Sequence, residues 1–258
     1  MWRLWRAYPS SSAPSGGQST PPRRVRQEPN SQILVMRAYF QRYAIYWTPR
    51  PGTAFAEFGA LWFGGFETFG LAPELAQRAR KAPAVYGLHA TFKAPFRLRD
   101  DVAPEGLRDA FNDFCANRRA PAPGRLILGH HQRYLTLLLS GGQADVDWLA
   151  AECVTSFDHF RAPLDEEDYA RRKLDDRSEQ EEAFLREFGY PYVLSAFRFH
   201  ISLAGPLESA ELDEVAKALQ PQLAPFMGEP FEIRELSLLG EPRSGGVFEV
   251  ISRHRLGA

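Results

Sequence analysis

The sequence has little cysteine: only Cys115 and Cys153 in 258 residues, and no Cys-x-x-Cys pair. Each falls in an apolar helical pattern, so two buried thiols in a reducing, cytoplasmic compartment are expected rather than a disulfide or a thiol ligand. An excess of one charge is also lacking, since 31 Lys+Arg against 32 Asp+Glu leave a net charge of −1. Binding along long nucleic acid usually needs a basic footprint, which argues against that class. A small anion held in a local basic cleft remains compatible. No apolar run approaches the roughly 20 residues of a transmembrane helix, so no membrane partner is expected. With 44% apolar residues, the chain can bury a sizeable core as one domain or a two-lobed one.

Residues 1–35 are rich in Ser, Pro, Gly and Arg and hold one acidic residue, Glu28. They cannot bury enough apolar surface to order themselves, so a disordered N-terminal extension is expected. They lack the apolar centre of a secretory signal. Their Arg-rich, acid-poor character suits a transit peptide, or Met36 is the true start.

One short pattern occurs twice. Tyr86-Gly87-Leu88-His89-Ala90-Thr91-Phe92-Lys93-Ala94-Pro95-Phe96 has its counterpart in Phe197-Arg198-Phe199-His200-Ile201-Ser202-Leu203-Ala204-Gly205-Pro206-Leu207. Side chains alternate across a strand, so His89 and Thr91 should share a face, as should His200 and Ser202. Lys93 would extend the first row and Arg198 the second. Each copy would then show an imidazole, a hydroxyl and a cation on one strand face. Pro95 and Pro206 read as strand ends.

The elements around these motifs follow from periodicity. Arg42–Trp47 reads as a strand, and 53–64 and 73–81 as helices separated by Gly64-Gly65. Pro104 suits a helix start, with Leu107, Ala110, Phe111, Phe114 and Cys115 as the buried face. Arg125–Leu128 and Tyr134–Leu139 read as strands. A helix follows from an Asp145 cap, with Val146, Leu149, Ala150, Cys153, Val154 and Phe157 inward. Residues 158–196 read as an inserted helical arm with a capping box at Ser178 and Glu181, ended by Gly189-Tyr190-Pro191-Tyr192. After the second motif, Ser209 should cap a helix that Pro221 stops. Phe231–Leu239 and Val247–Ser252 read as strands. Each half thus runs motif strand, helix, strand, strand, a weak internal duplication. The expected fold is α+β and bilobal, in one domain over 36–258. It has two similar pseudo-twofold lobes of antiparallel sheet, helices outside, a cleft between lobes and a helical insertion.

Two facing histidines suit acid–base work at a phosphate ester. A neutral imidazole takes a proton from water, and a protonated one gives a proton to the leaving oxygen. An ordinary imidazole pKa near ~6.5 makes both forms available. Displacement at phosphorus otherwise needs positioning and charge neutralisation. Thr91 and Ser202 would hydrogen-bond the phosphate, and Lys93 and Arg198 would offset its charge. A single His-x-Thr in a strand is ordinarily structural; two copies with shared flanks favour function. A metal site is weakly supported, because a third ligand is wanted and only the His130-His131 doublet offers one, at a turn where solvent exposure is the plainer reading. His159 and His254 have no partner pattern and read as structural or surface residues. Tyr43, Tyr86, Tyr190 and Tyr192 are candidates to stack on a base or sugar, although aromatic residues in such places are more often core.

His89-Ala90-Thr91-Phe92 and His200-Ile201-Ser202-Leu203 resemble the paired signatures of the two-histidine phosphoesterase superfamily. Tyr86–Leu98, Gly189–Val193, Phe197–His200, Tyr43–Trp47 and Phe157–Pro163 resemble, more closely, a bacterial branch linked to phosphonate metabolism through neighbouring genes. The resemblance covers about residues 42–256. It implies a bilobal α+β fold, a metal-independent mechanism without cofactor, and His89, Thr91, His200 and Ser202 as the catalytic set. Ser202 stands where Thr is commoner, and the hydroxyl is kept. The expected function is a cytoplasmic cyclic phosphodiesterase that opens a ribose cyclic phosphate, either an RNA 2′,3′-cyclic end or a phosphoribosyl cyclic phosphate of phosphonate breakdown. Its partner would be that small phosphorylated ribose or short RNA end. The alternatives are a non-catalytic binder of such groups and a metal-dependent phosphodiesterase.

Overall fold

The computed structural model describes residues 39–172 and 177–257. The expected N-terminal extension lies outside the described residues. Two antiparallel sheets and seven α-helices make up the described fold. The strands are β1 (Phe40–Trp47), β2 (Ala90–Phe96), β3 (Arg125–His131), β4 (Tyr134–Ser140), β5 (His200–Ala204), β6 (Glu235–Pro242) and β7 (Glu249–Arg255). The helices are α1 (Ala54–Phe63), α2 (Pro73–Lys81), α3 (Pro104–Ala116), α4 (Gln143–Ser156), α5 (Glu166–Arg172), α6 (Glu179–Phe188) and α7 (Ser209–Met227). No helix among the described residues is long and apolar enough to cross a membrane.

Each half of the chain keeps the expected order, but the halves exchange their motif strands. One sheet runs β2-β1-β6-β7 and the other β3-β4-β5. The first motif strand therefore lies in the sheet that holds β6 and β7 of the second half. The second motif strand lies beside β3 and β4 of the first. The connecting helices make the exchange: α3 packs on β6 and β7, and α7 packs on β3 and β4. The internal repeat does not correspond to one sheet per copy.

Several boundaries depart from those read in the sequence, each for a local reason. Helix α4 starts earlier than Asp145, from Gly142 in the left-handed region at φ 65°. Asp145 sits in its first turn and accepts the Ala122 N–H (3.0 Å). Glu208, not Ser209, caps α7, through a capping box with Glu211. Pro221 does not stop that helix, which runs through Pro221 and Pro225 to Met227. A proline inside a helix removes one backbone hydrogen bond and crowds the preceding turn. Here the apolar stripe of Leu212, Val215, Leu219 and Leu223 is buried on both sides of Pro221, and that burial holds the helix. The Ser178–Glu181 capping box and the left-handed Gly189 stop are present as read.

The main core is one continuous apolar cluster shared by both sheets and their helices. Cys115 and Cys153 lie within it as free thiols, and burial pushes Cys115 up to about 12. Strand β5 is an edge strand covered by α2. Trp62 of α1 is fully buried and donates its indole N–H to the Leu203 carbonyl of that strand (2.8 Å). The indole thus satisfies an acceptor in the dry core. Trp62→Phe should keep the fold and cost about 1–3 kcal/mol, because the carbonyl loses its donor. Urea unfolding of the variant would show this, and an unchanged midpoint would mean the bond contributes nothing.

Candidate functional site

The register of each sheet decides which side chains meet. In the first, Tyr46 pairs with Thr91 and Trp47 with Ala90. Directly paired residues share a face, so Tyr46 stands beside Thr91. In the second, Thr136 pairs with Ser202, Leu138 with His200, and His131 with Tyr134. These two polar rows line one cavity of about 390 Å³, together with Tyr86, His89, Tyr190, Tyr192 and Arg198. Both motif histidines, both motif hydroxyls and Arg198 are therefore brought together, from β2 and β5 of two different sheets and the residues leading into them.

Two of the expected residues are not. Ile45 pairs with Lys93 and Tyr46 with Thr91, so Phe92 is an extra residue in β2. Such a bulge reverses the alternation beyond it. Lys93 falls on the Ile45 face and is buried, with its ammonium donating to the Val154 carbonyl (3.0 Å) and Asp158 Oδ1 (3.3 Å). It is not part of the cavity wall, contrary to the row of three read in the sequence. Tyr43 also lies in the main core, 1% exposed and edge-on to Phe40, so it is not placed to stack on a ligand. Tyr86, Tyr190 and Tyr192 do line the cavity.

The two imidazoles are held alike. His89 Nδ1 lies 2.9 Å from the Gly87 carbonyl and His200 Nδ1 lies 2.8 Å from the Arg198 carbonyl. A carbonyl only accepts, so each Nδ1 carries the hydrogen. That fixes the tautomer and leaves Nε2 as the nitrogen that gains or loses a proton. In each case the acceptor lies two residues before the histidine.

Their surroundings differ. The His89 ring packs against Tyr46 (4.4 Å between centroids) and Tyr86 (5.4 Å), and both tyrosines pack on Phe248. The His200 ring stacks on His131 at 5.4 Å. Desolvation pushes His89 down to about 4, and the charge of His200 adds to this. Desolvation also lowers His200, with His131 contributing. Both imidazoles are thus more strongly neutral than ordinary histidines at neutral pH. Burial raises Tyr46 and pushes Tyr190 up to about 12, so both phenols stay protonated.

Arg198 is exposed on the cavity wall, where Nη1 donates to the Ser195 (3.0 Å) and Phe197 (2.6 Å) carbonyls. Among the described residues, no group of three or more His, Cys, Asp or Glu side chains is placed to hold a metal ion. Sequence reasoning missed Tyr46, His131, Tyr134 and Thr136, which also line the cavity. Tyr46 and Thr136 stand in strands with no motif of their own. The one available signal was the His130-His131 doublet, whose second member faces the cavity.

A two-sheet α+β protein with paired histidines across one cavity is the class this geometry defines. The family described as "Protein of unknown function (DUF1045)" matches residues 91–249, and the chain belongs to that family. It is 30% identical over 249 residues to "Ribose 1,5-bisphosphate phosphokinase PhnN" of Janthinobacterium sp. (strain Marseille), covering 90% of this chain and 54% of that protein. The protein of the same name from Laribacter hongkongensis (strain HLHK9) is 29% identical over 222 residues, covering 81% of this chain and 50% of that one. The chain spans about half the length of these curated relatives. Among solved structures, Kluyveromyces marxianus Usb1 aligns with 82% of this chain and 97% of its own, at 12% identity and a TM-score of 0.34. Its form with uridine monophosphate aligns at 10% identity and the same 0.34, over 84% and 99%. A likeness at that score is too weak to assign a fold.

The depressed imidazole has a consequence for stability. Unfolded His89 titrates near ~6.5, and folded His89 resists protonation until about 4. Between those values the unfolded chain binds the extra proton, so stability falls as pH falls through that window. Urea midpoints at about pH 7.5 and about pH 5 should drop further for the wild type than for His89→Asn. Equal drops would mean that the ring is not desolvated.

Proposed function

We propose that this protein is a cyclic phosphodiesterase of the two-histidine phosphoesterase superfamily, opening a cyclic phosphate on ribose. The observation that carries this reading is the matched pair of histidines. Each Nδ1 is tied to the carbonyl two residues back, each Nε2 is left for the cavity, and each ring has a hydroxyl two residues on.

Water enters beside His89, and His89 Nε2 takes its proton as the oxygen attacks phosphorus. The opposite P–O bond breaks, and the departing ribose oxygen takes the proton from His200 Nε2. The product is a phosphomonoester. Thr91 and Ser202 hydrogen-bond the non-bridging oxygens, and Arg198 offsets their charge. His89 is assigned as base because aromatic rings enclose it and hold it neutral. An entering phosphate anion favours the charged imidazolium, which counters the desolvation of His200. Tyr86, Tyr190 and Tyr192 offer faces for a sugar or base. No step calls for a metal ion.

The phosphorylated ribose in the name of the curated relatives supports the substrate class.

The test is hydrolysis in excess chelator of nucleoside 2′,3′-cyclic phosphates, RNA with a cyclic phosphate end, and 5-phosphoribosyl 1,2-cyclic phosphate. Turnover is expected with at least one. His89→Ala and His200→Ala should each lower kcat by about 100-fold to 10,000-fold, with the circular dichroism spectrum retained. Near-wild-type turnover in either variant would sink the mechanism. Tight binding with no turnover across the panel would replace it with a binding module. Loss of activity in chelator would replace it with metal-dependent chemistry.

A further inference from the structure

Lys93 is the motif residue that the cavity does not use, and its burial calls for a reason. Its ammonium meets Asp158, which accepts Arg161 Nε (2.8 Å) and Nη2 (3.2 Å). Arg161 Nη2 reaches on to the Glu187 carbonyl (2.7 Å), two residues before Gly189. Arg161 also lies against Gly189, where an added Cβ would meet its Cδ and Nη1 at 3.2 Å. A second link is direct. Arg172 donates Nη2 to the Pro95 carbonyl of β2 (2.9 Å) and Nη1 to the Gly189 carbonyl. Two independent tethers thus run from β2, the strand that follows His89 and carries Thr91, to one glycine of the arm. The residues immediately after that glycine include Tyr190 and Tyr192, which stand edge to face at 5.6 Å in the cavity wall. Gly189 is left-handed at φ 73°, so the chain turns there from α6 toward the cavity.

We propose that Lys93 and Arg172 are positioning residues that hold the Gly189–Tyr192 segment, and with it both tyrosine rings, in register with His89 and Thr91. Burying an ammonium is costly even with a partner, and Lys93 has one carboxylate shared with Arg161. An apolar side chain there would leave the Val154 carbonyl and Asp158 without this donor. What the charge adds is a directional link across elements. It fixes where the arm sits along the strand, which apolar contact alone specifies poorly.

The experiment compares Lys93→Met and Arg172→Met with the wild type, using the full chain. Amide hydrogen exchange over residues 187–193, measured without ligand, needs no assumption about the reaction. Exchange there should quicken at least about tenfold, with β1 and β6 unchanged and unfolding still cooperative. KM for the cyclic phosphate chosen by the panel should rise at least about tenfold while kcat changes less than about threefold, a readout that rests on the proposed hydrolysis. Arg172→Lys should recover part of the KM. Unchanged exchange in both folded variants would overturn the proposal, as would a uniform acceleration across the sheets, which would mark a merely structural role. If Lys93→Met fails to fold, Arg172→Met decides by the same criteria. Local quickening without turnover on any substrate would uphold the positioning role and overturn the hydrolysis.

Discussion

Each motif strand serves two surroundings at once. On β2, Ala90 and Phe92 are buried in the main core while Thr91 faces the cavity; on β5, Ile201 and Leu203 are buried while His200 and Ser202 face it. The period-two alternation of a strand makes this possible, and a slip of one residue would exchange the two sets. Apolar burial on one face therefore fixes where the imidazoles stand on the other. The same backbone supplies the carbonyls that hold Nδ1 of each ring. Core packing and site geometry are two results of one constraint.

The cavity is an aromatic enclosure with sparse charge. Tyr46, Tyr86, Tyr134, Tyr190 and Tyr192 contribute to its wall, and Arg198 is the single Lys or Arg among its lining residues. Rings remove water from around His89 more thoroughly than polar groups would, which is the physical origin of its lowered basicity. The second histidine has an imidazole neighbour instead. Two sites that look alike in sequence thus differ in electrostatics, and the proposed mechanism uses that asymmetry to separate a base from an acid.

Much of this was legible from residues alone, because it rests on local pattern. The strand rows of His89 with Thr91 and of His200 with Ser202, the Ser178 capping box and the helix after Pro104 depend on near neighbours. What escaped depends on contacts distant in sequence. The bulge at Phe92 is a register relation between β1 and β2, and it alone sends Lys93 inward. Tyr43 and Tyr46 occupy the same apolar strand, and only the pairing partner tells which faces the cavity. Pro221 reads as a stop until the burial of Leu219 and Leu223 on either side is known. His131 looked like half of a turn doublet, and the stacking that makes it part of the site comes from β5.

The exchange of strands between the sheets bears on how the chain reaches this structure. Tyr43 pairs with Gly240, so the first sheet closes only when β1, the first strand, meets β6, the last but one. The second sheet closes only when β5 returns to β4 across the whole arm. Neither repeat can complete a sheet from its own strands: a fragment holding the first half keeps β2 on β1 but lacks β6 and β7, and one holding the second half leaves β5 without β4. Such non-local pairing must overcome the loop entropy before any contact rewards it, which is the condition for slow folding. During synthesis, β2 and β1 can pair early, but their sheet waits until β6 has been made, after the whole second motif and helix α7. The cavity is among the last features to form, and a product that stops before β5 would expose unpaired strand edges to aggregation.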